Sequence, residues 1–450
     1  MGLMLGAPRT MQALARDGVL PSFLGRAYGK TRNPRIATVA TFAVALTGIL
    51  LGDLNRIAPI LSMFFLTSYG LINVSAGIES LIGTPSWRPK FRVHWSISLA
   101  GAFVCFFAMF MINAGATFIA AFLSVGLYYF MTRRSLQARW GDMRYGILMH
   151  MAQFAVLRMA RGKPDERTWQ PNILVLSGSP TARWYLIELA DAIAQGRSFI
   201  TVAAVVPETR LDGERNENMA ASIREHLRKK EIPALVKLYP ADDPLVGARE
   251  LIRGYGFGPL VPNTILVGQT EQRERFIDYS MLIRQIHQTR RNMLIVREGN
   301  ATPRFKRGKR IDVWWRGKRE NVGLMLSLAW LLNHNPRWAK GRLVLKSIVR
   351  SEEERDEVLE SSERFIKNER LQAETEVTIT DESDPFDAIR SASAGASLVF
   401  IGMRAPEDGE SAEEFSRYYE NLLDRTKGLP PTVIVMAAED IEFHRIFQSG

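Results

Sequence analysis

The chain has 450 residues, with 58 Lys or Arg against 47 Asp or Glu and a formal charge of +11. Its single cysteine, Cys105, and 6 scattered histidines exclude a disulfide framework and argue against a clustered metal centre. The basic balance fits either a nucleic-acid binder or a membrane protein with basic cytoplasmic loops. No basic helix is interleaved with aromatics, so the lipid bilayer is the expected partner and nucleic acid is not.

In chain order, the first part is apolar and the rest is charged. The opening MGLMLGAP is too short to cross a bilayer. It reads as the tail of a helix that begins upstream, closed by Pro8 and Arg9, with a short helix over Thr10–Ala15 stopped by Gly18 and Pro21. Arg9, Arg16, Arg26, Lys30, Arg32 and Arg35 face one acid, Asp17, which places this loop on the cytoplasmic side. Ile36–Leu51 is the first complete span, followed by a short turn through Asp53, Asn55 and Arg56.

The second span, Ile57–Ile82, reads IAPILSMFFLTSYGLINVSAGIESLI, and its acid, Glu79, comes only near the end. An apolar run of roughly 20 residues crosses a hydrocarbon core of about 30 Å. Its polar atoms belong to Ser62, Thr67, Ser68, Tyr69, Asn73 and Ser75. Ser68, Tyr69 and Asn73 fall within about one and a half turns. In lipid a phenol and an amide need partners, so this face points at protein or at a solute path; bonding between helices accounts for it equally well.

The loop GTPSWRPKFRVHWS is again basic, its Pro85 and Pro89 end the helix, and Trp87 and Trp95 suit an interfacial belt. Ile97–Ile112 is the third span. Asn113, Ala114 and Gly115 interrupt it before the fourth, Ala116–Met131, after which Arg133 and Arg134 follow at once. Basic loops alternate with short, nearly uncharged turns, which puts the C-terminal part in the cytoplasm. The segment from Arg133 to Thr168 is basic and amphipathic, with Ile147, Leu148, Met151, Phe154 and Leu157 at helical spacing.

From Ile173 onward short apolar strands alternate with helices. Strands are expected at Ile173–Leu176, Phe199–Val206, Ala234–Leu238, Thr264–Val267 and Met293–Val296. A second series starts at RIDVWW and continues through Arg342–Val349, Thr375–Ile379, Ser397–Gly402 and Thr432–Ala437. The alternation predicts a parallel sheet with right-handed crossovers, as one large unit or two in tandem. The domain plan is therefore 1–135 for the membrane part, 136–170 for the linker and 171–450 for the α/β part, with an internal boundary near 300–310.

Three stretches hint at a ligand. Ser177-Gly178-Ser179-Pro180 sits between a strand and a helix, where amides hold anions, or where an ordinary turn lies. Gly254, Gly256 and Gly258 follow a helix and precede Pro259 rather than opening a helix, so the dinucleotide fingerprint fails and a turn is expected. Trp314 and Trp315 read as core and interface aromatics before they read as a ligand cage. No nucleophile–base pair and no carboxylate pair stands in a catalytic pattern, so an enzyme is not expected.

The stretches GAPRTMQALARDGVLP, IAPILSMFFLTSYGLINV, PSWRPKFRVHWS, GFGPLVPNTILVG and RIDVWW together resemble the cation–chloride cotransporters of the amino acid–polyamine–organocation superfamily. That resemblance implies a fold of twelve spans, ten of them in two inverted repeats, of which this chain would keep the end of span eight and spans nine to twelve. It also implies a cytosolic α/β domain similar to universal stress proteins, which makes a homodimer. The implied activity is electroneutral symport of chloride with K⁺ and/or Na⁺, without a cofactor. In the family a tyrosine of span ten donates its hydroxyl to chloride, and Tyr69 holds that place in the motif. The K⁺ ligands and the main chloride-binding backbone would lie in spans upstream of Met1, as would the sodium-site serines. Two alternatives stand beside it: an amino acid permease of the same superfamily, and a scaffold anchored by its spans.

Overall fold

With no water in a hydrocarbon core, a backbone must bond to itself, and long apolar runs do so as helices. In the computed structural model the chain divides into two units, Met1–Ala155 and Val156–Gly450. The structure describes residues 2–17, 20–26, 33–50, 54–82, 91, 93–133, 143–162, 169–178, 183–208, 213–270, 272–298, 310–316, 319–336, 338, 341–368, 371–381 and 384–438.

Helices build the first unit: α1 (Gly2–Arg16), α2 (Arg35–Leu50), α3 (Leu54–Ile82), α4 (Trp95–Ile112) and α5 (Ala114–Arg133). The division between the units falls inside α6 (Met143–Arg161). Two of the four predicted spans are long and apolar enough to cross a bilayer on their own: Leu61–Ile82, at 22 residues, and α4, at 18. Among the described residues the apolar stretches Arg35–Leu50 and Ala114–Gly126 are shorter, and the second lies in α5, whose helix runs on to Arg133. Large apolar side chains project outward, Phe103 at 67 % and Phe122 at 77 % exposure, as suits lipid rather than water.

Hydroxyls on these helices bond back to carbonyls one turn earlier, as Thr41 does to Ala37, Thr47 to Ala43 and Ser124 to Ala120. That satisfies them without a partner helix. Asn113 alone breaks α4 from α5: its amide closes α4 on Met109 O, and its Oδ1 accepts from the Ala116 amide at 3.0 Å.

The opening differs from its prediction. Pro8 lies inside α1 rather than ending a helix. A proline removes one donor from a helix, yet α1 continues through Pro8 to Arg16; the Thr10 hydroxyl donates one turn back to Gly6 O at 3.1 Å. Lys30, Arg32, Asp53, Trp87, Arg134 and Ser179-Pro180 lie outside the described residues.

Among the described residues the second unit holds ten strands and, beyond α6, eight α-helices. Strands β1 (Ile173–Leu176), β2 (Ile200–Val206), β3 (Leu235–Pro240), β4 (Thr264–Gly268) and β5 (Asn292–Arg297) alternate with α7 (Trp184–Ala194), α8 (Gly213–Lys229), α9 (Pro244–Gly254) and α10 (Phe276–Gln288). The pattern repeats as β6 (Arg310–Trp314), β7 (Arg342–Val349), β8 (Glu374–Ile379), β9 (Leu398–Gly402) and β10 (Thr432–Met436), with α11 (Arg319–His334), α12 (Glu352–Asn368), α13 (Pro385–Ser393) and α14 (Ala412–Arg425) between them. The sheet order is β3-β2-β1-β4-β5-β10-β9-β6-β7-β8. Each half therefore has strand order 3-2-1-4-5, and the halves meet back to back. Every pairing is parallel except β5 with β10, which is antiparallel and centred on Ile295 opposite Ile434.

Helices cover both faces, which is why the strands are nearly continuous apolar runs. Ile173, Val175, Ile311 and Val313 point to the face of α7 and α11; Leu174 and Trp314 point to the face of α10 and α14. Each fully buried Val, Leu or Ile adds about 1.5–3 kcal/mol. At the junction Tyr419 stacks on Tyr279 at 5.3 Å, and Phe276 meets it edge-on at 5.8 Å. On the other face Asn335 donates to Ala192 O at 3.0 Å.

The repeat extends to the helix starts. Asp243 caps α9 and Asp384 caps α13, each ahead of a proline at the first position. Arg275 pairs with the first at 2.6 Å and Arg425 with the second at 3.0 Å.

The loop ahead of α14 carries a strongly depressed carboxylate. Glu410 takes two bonds from the Arg404 guanidinium, one of them 2.8 Å, and another from the Glu407 amide, which hold it at about 2 against an ordinary 4.5. A depressed carboxyl stabilises the fold above its unfolded value, and that contribution disappears as pH falls from 4.5 toward about 2. Acid titration of unfolding should therefore show a loss over that range that is absent in Glu410→Gln.

Candidate functional site

The polar cluster predicted on the second span lies mid-helix in α3. Ser68 donates to Phe64 O at 2.9 Å and Thr67 to Met63 O at 2.7 Å. Asn73 donates to Tyr69 O at 3.0 Å, and its amide lies over Gly101 of α4, where a Cβ would come within 3.3 Å of Asn73 Oδ1. Gly70 and Gly77 bring the same two helices together: a Cβ on Gly77 would reach to 2.9 Å from Leu99, and one on Gly70 would touch Cys105. Small residues in such a seam let backbones approach where lipid gives no hydrophobic drive.

Tyr69 differs from its neighbours. Its ring stacks on Phe65 at 6.4 Å and it is 57 % exposed. Its hydroxyl bonds to no other described residue, so it remains free to donate outward. Of the three polar residues grouped by sequence, Ser68 and Asn73 are thus tied to the helix and its packing, and Tyr69 alone is open. A neutral O–H donor in a dry setting binds an anion without a fixed cation.

The other sequence candidates fall in the α/β unit. Ser177 is buried and Gly178 turns with φ +63°. Gly256 and Gly258 have φ of +112° and +52° in a tight turn bridged by Phe257 and Leu260. Trp314 is buried, with its indole N–H on Ser393 Oγ at 2.9 Å, and Trp315 packs on Phe365.

Sequence reading passed over a buried charged network in β6 and β7. Asp312 and Lys346 are 0 % and 1 % exposed and lie 3.6 Å apart; Lys346 also reaches Glu376 at 2.9 Å and Ala392 O at 3.0 Å. Arg310 pairs with Asp312 at 2.8 Å. The signal was present as one acid in RIDVWW and one lysine in RLVLKSIV, each inside an apolar strand.

Comparison with known proteins assigns both units. The family profile of the amino acid permeases matches residues 1–174, and that of solute carrier family 12 matches residues 183–302. The two matches follow in order, the first over the helical unit and on to residue 174, the second from α7 to just beyond β5 in the α/β unit. The chain belongs to the cation–chloride cotransporter family. It is accordingly a membrane transporter chain and not an enzyme. Among solved structures, this cotransporter is similar to the cytoplasmic domain of a prokaryotic cation chloride cotransporter, at 16% identity over 61% of this chain and 98% of that one, with a TM-score of 0.45. It is also similar to a universal stress protein from Archaeoglobus fulgidus DSM 4304, at 17% identity over 59% of this chain and 96% of that one, with a TM-score of 0.41. A putative universal stress protein from Pseudomonas aeruginosa UCBPP-PA14 matches at 16% identity over 63% of this chain and 98% of that one, with a TM-score of 0.41.

Proposed function

We propose that this chain is the C-terminal part of a symporter that moves chloride together with K⁺ and/or Na⁺, without net charge, and that Tyr69 donates its hydroxyl to the chloride. The open hydroxyl of Tyr69, on a helix whose other hydroxyls in that stretch bond to their own backbone, carries this reading. Residues 1–135 supply the membrane part, 136–170 the linker and 171–450 a regulatory and dimerising domain on the cytoplasmic side, in keeping with the basic loops. Uptake of rubidium into cells or vesicles carrying the transporter tests it: uptake should require chloride and should leave the membrane potential unchanged. Rubidium uptake independent of chloride would overturn the reading.

A second reading, an amino acid permease, draws on the match of residues 1–174. Chloride-independent uptake of a labelled amino acid would select it. Dimer formation is tested separately: residues 171–450, made alone, should be soluble and sediment as a dimer at micromolar concentration. A monomer there would remove dimerisation from this domain.

A further inference from the structure

Helix α6 leaves nearly all of its surface uncovered. Of residues 145–162, all but Gly146, Ile147 and Val156 are exposed. Tyr145, Leu148, Met149, Ala152, Val156 and Met159 fall at i, i+3, i+4, i+7, i+11 and i+14, which is one face of a helix. No polar residue stands among them, and Tyr145 and Leu148 are each 64 % exposed. Phe154 and Leu157, on the other side, are exposed as well. A helix that is apolar over most of its circumference is stable only when something other than water covers it.

Two observations identify the cover. The first is position. A Cβ on Gly146 would come within 3.1 Å of Ile82 Cγ2, and Ile82 is the last residue of the spanning stretch Leu61–Ile82. The start of α6 therefore sits level with the end of a span, at the boundary between hydrocarbon and headgroups. The second is charge. From Arg133, at the end of α5, to Lys163 the sequence has seven Lys or Arg and one acid, Asp142. Arg158 and Arg161 are exposed off the apolar face, and α6 itself holds no acid. A second α6 packed alongside would bring apolar side chains but no carboxylate, so the two arginines would meet like charge. An anionic lipid surface answers both the apolar face and the arginines.

We propose that α6 lies in the plane of the cytoplasmic leaflet, with Tyr145, Leu148, Met149 and Met159 at the acyl boundary and Arg158 and Arg161 on the headgroups of anionic phospholipid. At about 1.5 Å per residue its 19 residues cover roughly 28 Å of that surface. The apolar face of such a helix reaches roughly 5–10 Å into the boundary. Each arginine near a negative leaflet strengthens the association about fivefold. The cytoplasmic side rests on the topology read from the basic loops, and the lipid contact does not depend on it.

The full chain, with Cys105→Ser to clear its one cysteine, is spin-labelled at Leu148→Cys, Met159→Cys or Gln153→Cys. It is held in nanodiscs of phosphatidylcholine alone or equimolar with phosphatidylserine. A nanodisc presents both leaflets, so the result does not depend on which side of the cell α6 faces. In anionic discs the labels at Leu148→Cys and Met159→Cys should collide with oxygen more than with a water-soluble nickel chelate, and the label at Gln153→Cys the reverse. In neutral discs the engaged fraction should fall. Arg158→Gln/Arg161→Gln should lower the engaged-to-free ratio in anionic discs about twentyfold. Any of four results would overturn the proposal: the first two labels as open to nickel as the third, the same accessibility in both lipids, an unaltered ratio in the double arginine variant, or spin–spin broadening at Leu148→Cys with both reagents excluded, which would put a second copy on this face.

Discussion

Tyr69→Phe should raise the chloride concentration for half-maximal transport by about tenfold or more while leaving the folded amount of protein unchanged. A hydrogen bond to a charged group contributes about 1.5–3 kcal/mol, and each 1.4 kcal/mol is about tenfold in affinity. The substitution removes one oxygen and keeps the ring that stacks on Phe65. It leaves no buried group unpaired, because the hydroxyl has no bond to any other described residue. Ser68→Ala is the matched control. That hydroxyl is spent on Phe64 O, so its loss should not move the chloride dependence. Flux measured against external chloride at fixed cation separates the two variants. An unaltered half-saturation in Tyr69→Phe would take this residue out of the ion path.

The α/β elements were readable because a parallel sheet covered on both faces needs short runs apolar on every side, and these stand out against amphipathic helices. Ile173–Leu176, Arg342–Val349 and Ser397–Gly402 were each placed within a residue of the observed strand. What joins them was not readable. The pairing of β5 with β10 brings together residues far apart in sequence, and no local pattern marks a strand as lying on a symmetry axis. Two tandem units thus emerge as one sheet of ten strands with a single antiparallel seam. In the first unit hydrophobicity placed the helices, while the expectation that Pro8 ends a helix met a helix that runs through it to Arg16. Composition grouped Tyr69 with Ser68 and Asn73 and only the family resemblance singled it out, while its freedom from bonds to other described residues needed coordinates.

The largest stability effect is expected at Lys346. Removing one partner of a buried ion pair leaves the other charged and unsolvated, at a cost of about 3–5 kcal/mol. Lys346→Met should approach the lower end, because Arg310 stays on Asp312 at 2.8 Å and is itself partly exposed. Against a total of about 5–15 kcal/mol for a domain, that loss is easily read from urea unfolding of residues 171–450. The pseudo-symmetric half shows how to cancel it. Asp312 pairs with Val344 and Val399 as Leu174 pairs with Thr201 and Ile265, and Lys346 pairs with Trp314 as Ala203 pairs with Leu176. The double variant Asp312→Leu/Lys346→Ala copies an arrangement this sheet already buries, and it should recover most of the stability. The single variant should also be pH-dependent. Burial raises the pKa of Asp312, and Lys346 is the foremost group holding it down. Without Lys346 the folded state favours the protonated acid still more, so it binds more protons than the unfolded chain and loses stability as pH rises. Lys346→Met should accordingly be less destabilised near about pH 5 than near about pH 8. A single variant as stable as the parent, or a double variant weaker than the single, would mean that the charged network does not hold this half of the sheet together.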